Sequence, residues 1–284
     1  MPELPEVESA VVRLRAALAG RTIERADVMH AALARRLPAA RLRSFRGARV
    51  RDVERRGKHQ LVHLDDGRVL HAHFRMTGDW VVGRTSDQLP RFARAVLALD
   101  NGTRVVLDDP RALSTLDIHP AGASLDLGLG PEPSDPALTA RALRAALGKR
   151  RAPIKPVLLD QRVIAGLGNI YAAEALWHAR ISPGASASSL DERDVARLLA
   201  AIRRVIARAT GARYTDSSVR RLAVYDRKGK ACRRCGTPIE RIVQAGRSTY
   251  FCPHCQPARA EGARQSSRKK TGRKRSTRST RRTR

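Results

Sequence analysis

All four cysteines of this 284-residue chain fall in one short stretch near its C-terminal end. Cys232 and Cys235 form one Cys-x2-Cys pair, and Cys252 and Cys255 form a second pair sixteen residues later. Two such pairs can complete a tetrahedron of thiolates, which predicts one structural Zn²⁺ that orders a hairpin too small for a core of its own. Two disulfides are the alternative, although nothing suggests secretion. His254 could compete as a ligand and is interpreted as a bystander.

The charge of the chain points to a polyanionic partner. Lysine and arginine number 56 against 27 aspartates and glutamates, for a net charge of +29. Such a field suits DNA or RNA better than a small substrate, the alternative being a merely basic, soluble protein. The length allows two domains. We expect a cytoplasmic protein without a membrane partner, because no apolar run approaches about 18 residues and no signal-peptide pattern is present.

The first part of the chain predicts one helix followed by strands. Apolar residues recur on one helical face and Gly20 follows as a C-cap. The predicted buried face comprises Val7, Val11, Leu14 and Leu18. Residues 48–118 then show strand patterns, with an Asp-Gly hairpin over 61–70 and an Asn-Gly hairpin over 95–107. Strands at this spacing predict a β-sandwich.

The second part of the chain predicts helices. Residues 121–136 are rich in Gly, Pro, Ser and Asp and are interpreted as an interdomain linker. Helices are predicted near 137–147 and 169–179, and a longer one from Asp191 to about Ala209. The expected buried side of the long helix comprises Val195, Leu198, Leu199, Ile202, Val205 and Ile206.

The C-terminal tail has the composition of a disordered segment. Residues 258–284 carry twelve Lys or Arg and one Glu, without Leu, Ile, Val or an aromatic residue. Such a segment cannot bury a core, so we expect disorder. An electrostatic tether to DNA is the functional interpretation, and a solubilising extension is the alternative.

The N-terminus carries a pattern with chemical meaning. Pro2 is small enough to permit removal of Met1, which would leave a free secondary amine directly before the carboxylate of Glu3. A terminal amine has a pKa near ~8 and a lysine near ~10.4, so much more of the former is unprotonated at neutral pH. A secondary amine can condense with a masked aldehyde to give an iminium, and Glu3 could move protons at the same substrate. Taken alone, the pattern also fits a disordered terminus.

Four blocks, in order, carry a resemblance to a known family. They are residues 1–8 (MPELPEVE), 108–111 (DDPR), 153–174 (PIK, LLDQ and GLGNIYA, ending at a Glu) and 224–229 (VYDRKG), the last running into the four cysteines. Over roughly residues 1–257 the chain resembles the formamidopyrimidine-DNA glycosylase / endonuclease VIII family, and most closely its formamidopyrimidine-DNA glycosylase branch.

The resemblance implies an α+β fold: an N-terminal β-sandwich with a leading helix, a helical helix–two-turn–helix domain and a zinc-ribbon β-hairpin. The expected segments are a catalytic domain at 1–120, a linker at 121–136, a DNA-binding domain at 137–226, a zinc-finger hairpin at 227–257 and the basic tail at 258–284. The implied activity, for a monomer acting on duplex DNA, is that of a bifunctional DNA glycosylase and AP lyase. Such an enzyme flips out and excises oxidised or ring-opened bases, then cuts the abasic site by β and further δ elimination through a Pro2 Schiff base.

The resemblance also assigns catalytic roles to individual residues. Glu3 is the implied general acid/base. Lys58 matches a β-hairpin lysine near the lesion phosphate, although without the family it would be interpreted as an exposed strand lysine. Arg247 matches a zinc-hairpin arginine that grips the phosphate beside the lesion. Glu174 matches a carboxylate of the helical domain with a structural role.

DNA contacts are implied for a second set of residues. Lys155 and Asn169 match residues that contact the DNA backbone or the extruded nucleotide. Residues 166–169 open a helix, so their amides and the Asn169 side chain are expected to hold a phosphate, an ordinary Gly-rich turn being the alternative. The side chains expected to fill the gap left by the flipped base are Met76, Arg111 and Leu113. By composition alone, Met76 and Leu113 would be assigned to the core.

The chain departs from the pattern of the family's guanine-lesion members at several positions. Those members carry an aromatic residue where Leu113 stands, two arginines where this chain has Arg111 and Ala112, and glycine where Arg75 stands. The connection over 211–223 is also short for a loop that covers the lesion. We therefore expect poor excision of 8-oxoguanine and better activity on abasic sites, ring-opened purines or oxidised pyrimidines. Two alternative functions remain open: an abasic-site lyase with weak base excision, and a non-catalytic DNA-binding protein.

Overall fold

The computed structural model describes residues 2–210 and 222–258. The predictions about the short connection and the basic tail concern residues 211–221 and 259–284, which lie outside the described residues. In the described segments, no helix combines the length and the apolarity that crossing a lipid bilayer requires.

The N-terminal domain contains one long helix, two short helices and eight strands. In chain order they are α1 (Leu4–Leu18), β1 (Ile23–Val28), α2 (Ala31–Ala34), α3 (Ala39–Arg43), β2 (Val50–Arg56), β3 (His59–Leu64), β4 (Val69–His73), β5 (Asp79–Arg84), β6 (Ala93–Leu99), β7 (Thr103–Asp108) and β8 (Thr115–His119). The strands form two four-stranded antiparallel sheets, ordered β1-β6-β7-β5 and β2-β3-β4-β8. Both hairpins predicted from their Asp-Gly and Asn-Gly turns are present.

One apolar core joins the two sheets to α1. The predicted face of α1 is buried as a whole, with Val7 and Val11 at 1% exposure and Leu14 and Leu18 fully buried. These side chains pack in one cluster with residues from both sheets. Burying an aliphatic side chain of this size contributes about 1.5–3 kcal/mol, so the face is enough to hold α1 on the sandwich. Gly20 adopts a left-handed φ of 75°, and its amide bonds the carbonyl of Val50 where the chain turns away from the helix.

The second domain is helical and has its own core. It contains α4 (Ala140–Gly148), α5 (Ile154–Leu158), α6 (Asn169–Ala179) and α7 (Glu192–Ala209), with a 3₁₀ turn at Ala187–Ser189. The helix α7 begins after Asp191, which caps the amide of Asp194, and its six predicted apolar residues are all buried. Leu4 of α1 also packs into this core, so the leading helix contacts both domains.

Two local predictions differ from the structure. The strand β1 and the short helices α2 and α3 had no distinct pattern in the sequence, because β1 is held by pairing with β6, about seventy residues away. The helix predicted near 137–147 begins later, at Ala140, because Thr139 accepts the amide of Ala142 and acts as the cap. The side chain of Asp135 instead accepts the amide of Ala137, which forms a turn before the helix.

The segment interpreted as a linker has neither helix nor strand but is fixed by one buried carboxylate. Glu132 forms a bidentate ion pair with Arg55 of β2, at 2.7 and 2.6 Å, and accepts the amide of Gly57 at 2.6 Å. Arg56 adds a longer ion pair at 3.5 Å. This clamp ties the start of the helical domain to the β2–β3 turn and sets how the two domains face each other.

The zinc-finger segment forms a hairpin of β9 (Glu240–Gln244) and β10 (Arg247–Phe251). It packs through Ile239 and two cysteines onto Trp177 of α6. Arg234 lies over the Trp177 ring at 4.0 Å from its centroid and donates to the Trp177 carbonyl. The hairpin is therefore held against the helical domain, with β10 beside the N-terminus of α6.

Candidate active site in the interdomain cleft

A cleft of about 640 Å³ lies where the two domains and the zinc-finger hairpin meet. Its lining contains five cations or histidines from the N-terminal domain, the start of α6, and the first residue of β10. The lining residues are Arg36, Lys58, His59, His73, Arg75, Met76, Leu113, Leu159, Gln161, Leu167, Gly168, Asn169 and Arg247. The cleft is strongly cationic, as the charge of the chain predicts for a polyanionic partner.

Glu3 lies buried behind this cleft, where α1 of one domain meets α6 of the other. Its carboxylate accepts the amides of Ile170 at 2.8 Å and Tyr171 at 3.3 Å. Both amides lie in the first turn of α6, where an anion is stabilised. Burial nonetheless raises the pKa of Glu3, with Lys58 as the strongest opposing influence. A raised pKa suits a carboxyl group that donates a proton near neutral pH.

An anion of the same chain lies at the start of α6. The amides of Ile170 and Tyr171 donate to the Glu3 carboxylate, and the amide of Gly166 donates to Gln161 Oε1 at 2.9 Å. The loop therefore positions Glu3, a catalytic candidate. The phosphate contact expected of the Asn169 side chain stays a prediction.

Glycines at this loop allow the two domains to approach each other. A Cβ on Gly168 would overlap the carboxylate carbon of Glu3, and one on Gly166 would overlap Leu4. Leu4 also donates its amide to the Gly166 carbonyl. The Gly-x-Gly spacing is thus required by contact with residues 3 and 4, not by a bound ligand.

A second carboxylate fixes the backbone of Glu3. Glu6 accepts the amide of Glu3 at 2.8 Å and the hydroxyl of Tyr171 at 2.5 Å. Pro2 is buried immediately before this pair. Pro2 and Glu3 therefore lie together at the interface of the two domains.

Lys58 is not the exposed strand lysine that its local sequence suggests. It lies in the β2–β3 turn with 7% exposure and donates to the carbonyl of Leu167 at 3.0 Å, across the domain interface. Burial lowers its pKa, Glu3 opposes that effect, and Arg247 adds to it. Glu3, Lys58 and Arg247 therefore form one electrostatic group around the cleft.

The direct DNA contact expected of Lys155 does not fit the structure. Its side chain is fully buried, and its amine donates to Asn169 Oδ1 at 2.5 Å, Thr249 Oγ1 at 2.8 Å and the Ser248 carbonyl at 3.2 Å. An ammonium group has three donors, so all are used within the protein. Burial lowers the pKa of Lys155 to about 8. Lys155 positions Asn169, whose amide also donates to Ser248, at the cleft wall.

Met76, Arg111 and Leu113 lie on two adjacent loops and are exposed. Met76 and Leu113 are 38% and 41% exposed and line the cleft, so neither is a core residue, as composition alone would suggest. Large apolar side chains exposed in this way are available to fill a gap in a base stack. Arg111 is exposed beside them but does not line the cavity.

Asp109 organises both of these loops and was not identified as a functional residue from the sequence. Its carboxylate accepts the amides of Arg111, Leu113 and Ser114 at 3.1, 2.7 and 2.8 Å, and the hydroxyl of Thr77. The only sequence signal was its place in the DDPR block. Arg36 and Gln161 of the cleft lining were also missed, since nothing distinguishes Arg36 among the many arginines.

The turn that presents Met76 contains a residue in an unusual conformation. Arg75 has a left-handed φ of 56°, and its amide donates to His73 Nδ1 at 2.9 Å. Glycine is the residue that adopts such a φ without cost. Arg75 instead adds a guanidinium group to the cleft lining.

The four cysteines fit one tetrahedral zinc. Their sulfurs all lie within 4.8 Å of one another, with recorded separations of 3.4 to 4.0 Å. Zn–S bonds of about 2.3 Å in a tetrahedron place sulfurs about 3.8 Å apart. The four thiolates are the ligands of one structural Zn²⁺, and His254 is not among them. Glu174 joins this segment to α6 by accepting the amides of Ala223, Val224 and Tyr225, which is the structural role expected of it.

These features define a class of protein: a two-domain, zinc-binding protein whose cationic interdomain cleft encloses a buried N-terminal Pro-Glu pair. Three family models match in succession, described as the formamidopyrimidine-DNA glycosylase N-terminal domain over residues 1–116, its H2TH domain over 129–220, and a zinc finger found in FPG and IleRS over 229–258. The formamidopyrimidine-DNA glycosylase of Paracoccus denitrificans is 40% identical over 280 residues, covering 90% of this chain and 100% of that protein. The chain belongs to the formamidopyrimidine-DNA glycosylase family.

Other relatives agree in sequence and in structure. The formamidopyrimidine-DNA glycosylase of Heliobacterium modesticaldum is 41% identical over 276 residues, covering 90% of this chain and 100% of that protein. The crystal structure of Lactococcus lactis Fpg bound non-covalently to DNA with an AP site gives a TM-score of 0.83 at 28% identity, over 90% of this chain and 100% of that one. The MutM protein of Thermus thermophilus gives 0.78 at 38% identity, over 90% and 98%. The expected family and α+β fold are confirmed.

The zinc site leads to a prediction about the cleft. We expect one zinc per chain in freshly purified, reduced protein, and Cys252→Ser should weaken DNA binding because the hairpin that carries Arg247 and the acceptors of Lys155 loses its metal. Metal analysis and equilibrium binding to a lesion duplex check this. Reduced protein that contains no zinc would contradict the assignment.

Proposed function

We propose that this chain excises oxidised or ring-opened bases from duplex DNA and then cleaves the strand at the resulting abasic site. The observation that carries the proposal is the buried Glu3 carboxyl, which lies directly after Pro2, is held across the domain interface by the start of α6, and interacts electrostatically with Lys58. Family relatives of known structure support it, since they are described in complex with DNA that contains an AP site or carbocyclic 8-oxo-G.

The proposed chemistry begins once Met1 is removed. The unprotonated amine of Pro2 attacks the sugar carbon that carries the damaged base, the base departs, and Glu3 supplies a proton as the sugar ring opens. The product is an iminium joining Pro2 to the sugar. Loss of a proton from the adjacent sugar carbon then expels the 3′ phosphate, and a further elimination expels the 5′ phosphate.

The cleft fits this role electrostatically. Lys58 and Arg247 would neutralise the phosphates around the lesion, since both line the cleft and its lining in the described residues contains no carboxylate. Exposed Met76 and Leu113 would occupy the space that the extruded nucleotide leaves, which offsets an unstacking cost of about a few kcal/mol. We propose a monomer that acts on one duplex and is associated with the nucleoid in the cytoplasm.

Borohydride trapping tests the proposed function. Reduction of the iminium should yield a covalent protein–DNA adduct on an abasic-site duplex, and peptide mapping should locate it at residue 2. A protein that binds the duplex but is neither trapped nor able to cut it is the non-catalytic alternative. Trapping on abasic sites with little release of damaged bases would instead identify a lyase with weak base excision.

The choice of lesion is a separate prediction. We expect poor excision of 8-oxoguanine, because Leu113 provides a different wedge from an aromatic residue and the connection over 211–223 is short. Ring-opened purines, oxidised pyrimidines and abasic sites should be processed faster, since their distorted pairing lowers the cost of flipping. Single-turnover rates on matched duplexes check this. Faster cutting of 8-oxoguanine opposite cytosine than of an abasic site or oxidised pyrimidine would refute it.

The basic tail leads to a prediction about affinity. Truncation after Pro257 should weaken binding to all duplexes alike and make the salt dependence shallower, by roughly 0.9 log units per lost phosphate contact. Single-turnover excision at saturating protein should barely change, because the tail contributes to encounter and not to chemistry. A truncation that alters lesion preference would contradict the tether.

A further inference from the structure

Three histidines form a connected row on the outer face of one sheet. His59 Nδ1 lies 2.7 Å from His71 Nε2, and His71 Nδ1 lies 3.3 Å from His119 Nε2. The residues come from three neighbouring strands, β3, β4 and β8. His71, in the middle of the row, uses both of its ring nitrogens, so the three imidazoles form an unbroken chain of hydrogen bonds.

The row runs from the cleft to the edge of the sheet. His59 lines the cleft directly beside Lys58, and its second nitrogen, Nε2, is not used by His71. His119 lies on β8, the edge strand, and is partly exposed. The row therefore ends at the cleft lining on the side of His59 and at the edge strand, outside the cleft lining, on the side of His119.

The row is not a metal site. Within the described residues, only the four cysteines bring three or more ligand atoms within 4.8 Å of one another. In contrast, each contact in the histidine row joins one nitrogen to one nitrogen, as a shared proton requires.

The surroundings of His59 and His71 favour their neutral forms, which a proton relay needs. Burial lowers the pKa of His59 to about 4, with further lowering by His71, Arg75 and Lys58. Burial and His119 lower the pKa of His71, opposed by Asp117, which is paired with it across the strands. A neutral ring has one donor and one acceptor, so the row can be oriented in one direction; a doubly protonated ring could not accept.

We propose that His59, His71 and His119 relay protons between the cleft and solvent during base excision and strand cleavage. The inference rests on the proposed function. A proton arrives at His119 Nδ1, Nε2 of His119 passes one to His71 Nδ1, Nε2 of His71 passes one to His59 Nδ1, and Nε2 of His59 delivers one to the cleft. Every ring ends in its other tautomer, and no ring keeps a charge.

The proposed reaction resets the row. Departure of the base consumes one proton, and the first elimination releases one from the sugar. The inward transfer leaves each Nδ1 protonated, which is the arrangement that conducts a proton outward. One proton in and one proton out therefore restore the starting tautomers. The route matters when DNA fills the cleft and excludes the water that would otherwise carry protons.

His71→Ala tests the relay, because it removes the ring that joins the other two and leaves a cavity that imidazole can enter. The matched control is His63→Ala, on the same sheet, where the ring contacts Glu54 and takes no part in the row. With DNA fully bound, we expect His71→Ala to slow base release about a hundredfold, the lower end of the range for a lost proton-transfer group. Affinity for the duplex should not change, and added imidazole should restore the rate. The control should match the wild type.

A second variant covers a failure of His71→Ala to fold. His119→Gln alters the half-buried outer end and should show the same loss and the same rescue by imidazole. The relay is refuted if an active wild type is matched by either folded variant, or if their losses are not restored by imidazole. A wild-type protein that releases no base and is not trapped by borohydride would instead refute the proposed function, and the relay with it.

Discussion

Pro2→Gly should reduce base excision by about a hundredfold or more, because misplacing a reacting group by about 1 Å can cost that much. Glycine keeps an N-terminal amine after Met1 is removed but lacks the buried pyrrolidine ring that fixes its position. DNA binding should be largely retained, since Lys58 and Arg247 are unchanged. Single-turnover excision and equilibrium binding, measured on the same lesion duplex, separate the two effects.

Mass spectrometry of the wild type provides the control. It should show that Met1 has been removed and that the borohydride adduct lies on residue 2. Fully active protein that retains Met1 would rule out the amine of Pro2 as the nucleophile.

Gly168→Ala should reduce excision by about 10²- to 10⁴-fold, the range associated with a general acid or base, although it replaces no ionisable residue. The added Cβ would overlap the carboxylate carbon of Glu3, which is fixed on its other side by the amides of Ile170 and Tyr171. Gly168 has an ordinary extended conformation with φ of −133°, so backbone strain does not contribute.

Gly184→Ala is the matched control for this substitution. Its Cβ would meet only Ser182 Oγ, at 3.8 Å, so the variant should excise at the wild-type rate. Glu3→Gln should resemble Gly168→Ala in rate and differ from it in stability, because only the glycine substitution overpacks the interface. Full activity of Gly168→Ala would show that the contact between Gly168 and Glu3 does not govern catalysis.

The sequence predicts most of the helices and hairpins because their signals are local. The cap at Asp191 and the apolar spacing define α7 almost to the residue, and the Asp-Gly and Asn-Gly turns define their hairpins. The strand β1 lacks such a signal, because its burial is set by β6. A local sequence pattern predicts a strand least well when that strand is held by pairing with a distant segment.

The site shows the same division between residue identity and residue environment. The sequence blocks single out Glu3, Lys58 and the cysteines, but do not show what each one contacts. Lys155 is the clearest case: its amine is bonded by Ser248 and Thr249, more than ninety positions away, which turn an expected DNA contact into an internal support. Likewise, nothing in the local sequence shows that Asp109 bonds the two loops on which the exposed Met76 and Leu113 lie.

The conformation of Arg75 has a thermodynamic consequence. A left-handed φ at a residue with a Cβ costs about 1–2 kcal/mol, a noticeable part of the roughly 5–15 kcal/mol that keeps a domain folded. Glycine at this position would recover much of that energy and remove one positive charge from the cleft wall. Arg75 therefore lowers the stability of the folded state at the cleft wall that is proposed to bind DNA. In exchange, the guanidinium group adds electrostatic attraction for a polyanion at the cleft.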